Sequence, residues 1–532
     1  MITEISKYLH QKKTLASLSL VSKKLNSIVS PLLYETVIIN LNDFQDSKAY
    51  KYASLLVYEH RYVHLIKNFG VRGMKPKLEP WKRIIFHTLN CMTLGLLKLF
   101  ESDQLRNFVW STDMALTSVI VKELQNRQKL LQGIWVSSSD AVGSGFTDDS
   151  LFKIFNDLGS IRDLHFSGIL DLQSLFEFLR NPETMPQNLH RLTIGASGGV
   201  FGQWSRSINL TTPDDSADIN LGPASQSFPK FPDLKYLSLT GIDLGLLTEF
   251  DSSFRIDRIF DVKNLQTLKL IDINEISVTL NYLQVLPMNL KTFHIRGKEP
   301  GIAIENILGS FTGLEELYLD LESYESSRWN NMCQNIRNHK ATLVRLYARL
   351  SSDGYGGEFG DTFLRSLRGE NKFPKLLELC CPLKDFYEFR SFSRDYLPKL
   401  QLLWLLADPR TWEKKDLKPN DTTTILRPFF RPNAHNHNRL PFLAIGERSE
   451  KGLLLIFELC ESVSITGAIT TSLSFITHHS LFDYNPELTL LNIDTSWVPW
   501  EEEREFYNSR EASYIGDEYS ARDRAAPTPY RP

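Results

Sequence analysis

One spacing of hydrophobic residues, apolar-x-x-apolar-x-apolar, returns along most of the chain, and Leu314-Glu-Glu-Leu317-Tyr-Leu319 is its clearest instance. It falls at Ile66/Phe69/Val71, Leu105/Phe108/Trp110, Leu131/Ile134/Val136, Ile161/Leu164/Phe166, Leu189/Leu192/Ile194, Leu234/Leu237/Leu239 and Leu265/Leu268/Leu270. It continues at Leu290/Phe293/Ile295, Leu343/Leu346/Ala348, Leu376/Leu379/Cys381, Leu400/Leu403/Leu405, Leu440/Leu443/Ile445 and Leu488/Leu491/Ile493. The fourth and sixth positions enclose a residue of another kind, the alternation of a strand whose side chains point to opposite faces. Each occurrence predicts a short strand.

The intervals carry the helical period. Leu151/Ile154/Phe155/Leu158, Leu172/Leu175/Phe176/Leu179, Ile304/Ile307/Leu308/Phe311 and Trp329/Met332/Cys333/Ile336 each form one apolar stripe on a helix. A strand and a helix of this length cannot bury their apolar faces alone, so neighbouring units must stack into one continuous core. The expected fold is a curved α/β solenoid.

From about residue 60 to about residue 500 the spacing resembles leucine-rich repeats, and first positions at 265, 290, 314, 343 and 376 lie at or just above the ~20–29-residue period of that class. The pattern departs from the class where regular repeats place Asn or Cys, three residues after the last leucine; Ile242, Ile273, Lys298 and Glu322 stand there. With strands on the inner surface of a horseshoe, the residue between the fourth and sixth positions faces the hollow. That ladder reads Val109, Trp135, His165, Thr193, Ser238, Lys269, His294, Tyr318, Tyr347, Cys380 and Trp404, flanked by Arg191, Tyr236, Arg296, Glu316, Arg345, Arg349 and Glu378. Trp, Tyr and Arg dominate interface energies, so Trp135, His165, Arg191, Tyr236, Lys269, His294, Arg296, Tyr318, Arg345, Tyr347 and Trp404 are the candidate surface for a protein or peptide ligand.

Residues 1–40 are of a different kind. Ile2, Ile5 and Leu9 share a helical face, Leu15, Leu18, Leu25 and Ile28 continue it, and Pro31 is expected to stop the helix. The run Thr14-Leu-Ala-Ser-Leu18-Ser-Leu20-Val21-Ser22-Lys23-Lys24-Leu25, followed by Ser30-Pro31-Leu32-Leu33-Tyr34, resembles the F-box of fungal F-box proteins. The family's usual Leu-Pro opening has no counterpart before Ile2, so the resemblance is to an F-box truncated at its start. It implies a helical module that docks on a Skp-type adaptor and, through it, on a cullin. The positions it assigns to adaptor contact or module core are Ile2, Ile5, Leu9, Leu15, Leu18, Leu20, Val21, Leu25, Pro31 and Leu32.

Residues 41–65 read as a rigid bridging segment without a Gly/Ser/Pro run, and 66–500 as the solenoid. Gly198-Gly, Thr212-Pro-Asp-Asp and Gly222-Pro mark an inserted loop near 198–233, and Asp408-Pro and Arg427-Pro-Phe-Phe-Arg-Pro another near 407–439. Residues 501–532 read as a short charged helix and a disordered tail.

Composition narrows the function classes. Sixty basic against 63 acidic residues give a formal net charge of −3 over 532 residues, no sequence-wide field for a phosphate backbone, so nucleic acid is not an expected partner. Five scattered cysteines, Cys91, Cys333, Cys380, Cys381 and Cys460, suit reduced thiols in cytoplasm or nucleus. No apolar run reaches the ~20 residues of a membrane span, and Met1-Ile-Thr-Glu does not open a secretory signal.

Candidate chemistry is sparse. Gly354-Tyr-Gly-Gly-Glu-Phe-Gly360 lacks the order of a phosphate-binding loop, and His435-Asn-His437 and His478-His479 lack companions at metal-ligand spacing. No metal, cofactor or catalytic residue is expected. The resemblance to F-box proteins, together with the repeats, implies a substrate-recognition subunit of a Skp–cullin–F-box ubiquitin ligase. A repeat scaffold without a ubiquitin role, or an enzyme with a site on an inserted loop, are the alternatives.

Overall fold

The repeated apolar spacing becomes strands at the expected places. The computed structural model describes residues 12–40, 60–73, 79–112, 116–137, 159–169, 188–196, 231, 233–242, 260–273, 276–297, 302–321, 328–350, 372–382, 397–406, 442–446, 454–463 and 469–476. Ile2, Ile5, Leu9, the predicted helices at 151–158 and 172–179, the glycine-rich run at 354–360, both histidine clusters, most of each inserted loop, the repeat at 488–493 and the segment 501–532 lie outside them.

The chain divides into two units, Met1–Leu290 and Lys291–Pro532. In the first, α1 (Lys12–Ser19) and α2 (Lys23–Tyr34) precede β1 (Thr36–Asn40), a 3-10 turn (His60–Leu65) and β2 (Asn68–Gly73). Then follow α3 (Glu79–Leu99), β3 (Asn107–Thr112), α4 (Ser118–Arg127), β4 (Gly133–Ser137), β5 (Asp163–Ile169), β6 (Arg191–Ala196), β7 (Tyr236–Thr240), β8 (Thr267–Ile271) and α5 (Ile276–Leu283). From β1 to β8 each strand pairs in parallel with its predecessor, and Phe69, Phe108, Ile134, Leu164, Leu192, Leu237 and Leu268 align in one buried column.

The second unit comprises β9 (Thr292–Gly297), α6 (Ile302–Ser310), β10 (Glu316–Leu321), α7 (Trp329–Arg337), β11 (Arg345–Leu350), β12 (Glu378–Pro382), β13 (Leu402–Leu406), β14 (Phe442–Gly446), β15 (Leu454–Val463) and β16 (Ile469–Ile476). β9 to β14 are parallel, with Phe293, Leu317, Leu346, Leu379 and Leu403 in register. β15 and β16 are antiparallel.

A stair of backbone hydrogen bonds explains the common register. In both units the carbonyl just after a first apolar residue accepts two N–H groups from the next repeat: Lys67 O from Arg106 and Asn107, Arg106 O from Gln132 and Gly133, and, in the second unit, Glu315 O from Val344 and Arg345. A one-residue slip would turn every leucine to the wrong face, so stair and leucine column enforce each other.

Polar side chains, of which Gln128 and His339 are fully buried, tie one repeat to the one before. Gln104 Nε2, Ser160 Oγ and Thr342 Oγ1, each just before a first apolar residue, donate to the carbonyls of Ile66, Leu131 and Leu314 at 2.7, 2.7 and 2.6 Å. Gln128 accepts from Leu105 N–H (2.8 Å) and donates to Glu101 O (2.9 Å). His339 does the same in the second unit, Nδ1 accepting from Leu314 N–H at 3.3 Å and Nε2 lying 3.1 Å from Leu308 O. Ile242 and Ile273, three residues after the last apolar position of their repeats, are buried.

Two helices of the second unit bury their apolar stripes. Ala303, Ile304, Ile307 and Leu308 of α6 and Trp329, Met332, Cys333 and Ile336 of α7 are buried, matching the predicted stripes. The Arg328 guanidinium grips the Glu305 carboxylate at 2.8 and 3.0 Å, and Asn335 Nδ2 donates to Glu305 O. Burial pushes the Cys333 thiol up to about 12, so it packs as an inert apolar group.

Three expectations change. Pro31 does not stop its helix: α2 runs on to Tyr34, since one lost N–H costs a single bond so near the end. The first strand is β1, not the one after Ile66, so residues 36–40 belong to the sheet; Val37 and Ile39 align with Phe69 and Val71. Parallel repeats were expected to 500, but after β14 the described strands turn antiparallel.

Gly70 tests the register at one point. A Cβ placed there would lie 3.0 Å from Val109 Cβ, an atom fixed by its own strand. Gly70→Ala is expected to cost about 1–3 kcal/mol in thermal or denaturant melting.

Candidate functional site

The α1–α2 turn is the first candidate surface. Ser22 caps α2, its hydroxyl accepting from Leu25 N–H at 3.1 Å, and Leu20 N–H and Val21 N–H bond back to Ser17 O and Leu18 O. This tight turn throws Leu20 and Val21 outward, 86% and 70% exposed, with exposed Lys23 and Lys24 beside them. Leu15 is buried, Leu18, Leu25 and Leu32 are half-buried, and Pro31 is exposed. The ten sequence-assigned positions thus separate: Leu15 belongs to the core, Leu20, Val21 and Pro31 face out, and Ile2, Ile5 and Leu9 lie outside the described residues.

The second candidate is the strand face opposite the leucines, taken unit by unit. In the first unit Trp135, His165, Thr193, Ser238 and Lys269 are register partners on β4 to β8. The Trp135 and His165 rings lie 4.4 Å apart, and burial lowers His165 to about 3, so it is neutral. Arg191 Cζ and Lys269 Nζ approach the same Tyr236 ring, at 5.1 and 5.7 Å. Arg191, Tyr236 and Trp135 are half-buried; His165, Thr193 and Lys269 are buried.

In the second unit an aromatic file crosses the strands: His294–Tyr318 at 5.5 Å, Tyr318–Tyr347 stacked at 4.0 Å, Tyr347–Trp404 edge-on at 5.5 Å. The last two sit two strands apart and lean together over the small Cys380 between them, which is wholly buried. Beside the file, Arg345 donates to Glu378 at 2.7 Å and also pairs with Glu316, and Arg349 donates to Asp320 at 2.6 Å. Burial alone would lower the Arg345 pKa, but the two carboxylates outweigh it and raise the value. Arg296 is exposed.

The ladder is therefore less open than its residue types imply, with Tyr318, Tyr347 and Trp404 between 3% and 8% exposed. Arg345 is held by the chain's own carboxylates. Sequence reasoning named these residues one by one and missed their pairing, although Glu316, Arg345 and Glu378 occupy the same position in successive repeats, where opposite charges meet once register is assumed.

Among the described residues no three His, Cys, Asp or Glu side chains are grouped to hold a metal, and no helix is long and apolar enough to cross a membrane. The sequence matches no family model and no curated protein.

Proposed function

We propose that this protein is the substrate-recognition subunit of a Skp–cullin–F-box ubiquitin ligase, its amino-terminal helices docking on the adaptor and its strand face, read as that of a leucine-rich-repeat solenoid, receiving the client. The observation that carries the reading is the outward pair Leu20 and Val21 on a tightly built turn, within the run that resembles the F-box. Two adjacent, largely exposed apolar side chains forgo several kcal/mol of burial, on the order of 1.5–3 kcal/mol each, unless a partner covers them. The assembly works by proximity: a client held beside a conjugating enzyme meets it at high effective concentration, and no bond chemistry is asked of this chain. Cytoplasm or nucleus follows from the same reading.

Co-expression with a Skp-type adaptor tests it. The full chain is expected to co-purify with the adaptor, and Leu20→Asp/Val21→Asp to abolish the complex without lowering the melting temperature. A folded wild-type chain that captures no adaptor contradicts the proposal.

A further inference from the structure

The amino-terminal helices are basic in a chain that is not. Residues 12–34 hold four lysines, Lys12, Lys13, Lys23 and Lys24, and no Asp or Glu, whereas the whole sequence has a formal net charge of −3. The next carboxylate along the chain, Glu35, is paired with Lys67 at 3.5 Å. Both α1 and α2 open on a lysine pair, and neither has an acidic residue in its first turn. The amino-terminal end of a helix is the positive end of its dipole, where a carboxylate is favourable and a cation is not. Both helices therefore begin with the unfavourable sign.

At α2 the lysine pair stands beside the outward apolar pair. Leu20, Val21, Lys23 and Lys24 are all exposed, within five consecutive residues of a turn fixed by the Ser22 cap. Departures from local sequence rules concentrate where a chain serves a function, and here the rule for apolar side chains and the rule for helix charge are broken together. One contact removes both penalties: an apolar pocket covers Leu20 and Val21, and carboxylates at its edge neutralise Lys23 and Lys24. An apolar centre with a polar rim is the ordinary build of a protein interface.

We propose that the adaptor surface receiving Leu20 and Val21 is edged by Asp or Glu carboxylates, and that Lys23 and Lys24 steer the encounter by pairing with them. The inference rests on the reading that this turn docks on the adaptor, and names the charge of the surface it meets. Rim charges act mainly on the association rate and its salt dependence, whereas the buried apolar contact sets dissociation.

The test is stopped-flow or surface-based kinetics of purified Skp-type adaptor with the full chain, at low and at physiological salt. Wild type is expected to associate more slowly as salt is raised. Lys23→Gln/Lys24→Gln should associate about tenfold more slowly at low salt, lose most of the salt dependence, and dissociate within about twofold of wild type. Lys23→Glu/Lys24→Glu should associate more slowly still while melting no lower than wild type, since carboxylates suit the first turn of α2; lysines with a purely structural role would leave the association rate unchanged. Vesicles of phosphatidylcholine and phosphatidylserine form the second arm, because an anionic bilayer also takes cations beside apolar side chains. The chain is expected not to sediment with them. An association rate or salt dependence equal to wild type in Lys23→Gln/Lys24→Gln overturns the proposal, and so does vesicle binding that this variant abolishes while its adaptor kinetics stay at the wild-type values. Adaptor binding that the lysine variants do not alter defeats only the acidic rim; a wild-type chain that binds no adaptor defeats the docking reading and the rim with it.

Discussion

Replacing Arg345 with methionine is expected to destabilise the second unit by about 3–5 kcal/mol, the usual cost of leaving a buried charge without its partner. Glu378 is completely buried and takes its hydrogen bond from Arg345 Nε at 2.7 Å, while Glu316 is held from the other side. Without the guanidinium two carboxylates face each other across β11. The companion variant Arg345→Met/Glu378→Gln should regain much of the loss, because the buried carboxylate goes with the cation; a chevron or denaturant series on both reads this directly. Arg345→Lys should fall between them, since an ammonium cannot present the fork that spans two carboxylates.

Acid is expected to weaken the fold through histidines that burial keeps neutral. His165 is lowered to about 3 and His339 to about 4, whereas in the unfolded chain each takes its proton near 6.5. Above that value both states are neutral and nothing depends on pH. Below it the unfolded chain binds protons the folded chain refuses, so stability falls by about 1.4 kcal/mol per pH unit for each group until its folded pKa is reached. For His339 the window runs from about 6.5 down to about 4. Its geometry explains the refusal: a protonated Nδ1 cannot accept from Leu314 N–H. His339→Gln supplies the same acceptor and donor, as Gln128 does in the first unit, without the titration. That variant is expected to match wild type within about 1 kcal/mol at pH 7 and to exceed it by roughly 2 kcal/mol at pH 5, measured by guanidinium denaturation.

The strands were legible because leucines at fixed spacing serve one physical end, a column buried on one side of a sheet, and Leu317, Leu346 and Leu379 sit where the spacing places them. β1 escaped notice because its first apolar position is Tyr34, already counted in the F-box-like run; its ring stacks on Tyr62 at 4.3 Å. The β15–β16 pair escaped because repeat counting does not look for a hairpin, although the run from Ile469 to Ile476 is rich in β-branched residues. A further apolar anchor three residues before the first position, Val63, Phe231, Val262, Phe373 and Leu397, was also overlooked; each is buried and accepts a turn hydrogen bond from the first-position residue. The candidate site was legible in its residue types and not in their pairing. Spacing places Arg345 on a face; only the neighbouring strands decide whether it meets a client or Glu378.

The account stands on Leu20 and Val21 being surfaces for a partner. Titration of purified Skp-type adaptor into the full chain, followed calorimetrically for wild type and for Leu20→Asp/Val21→Asp of equal melting temperature, tests this most directly. The account predicts one-to-one binding for wild type and a loss of at least about a hundredfold in the variant; no heat of binding with wild type, or equal affinity in both, contradicts it.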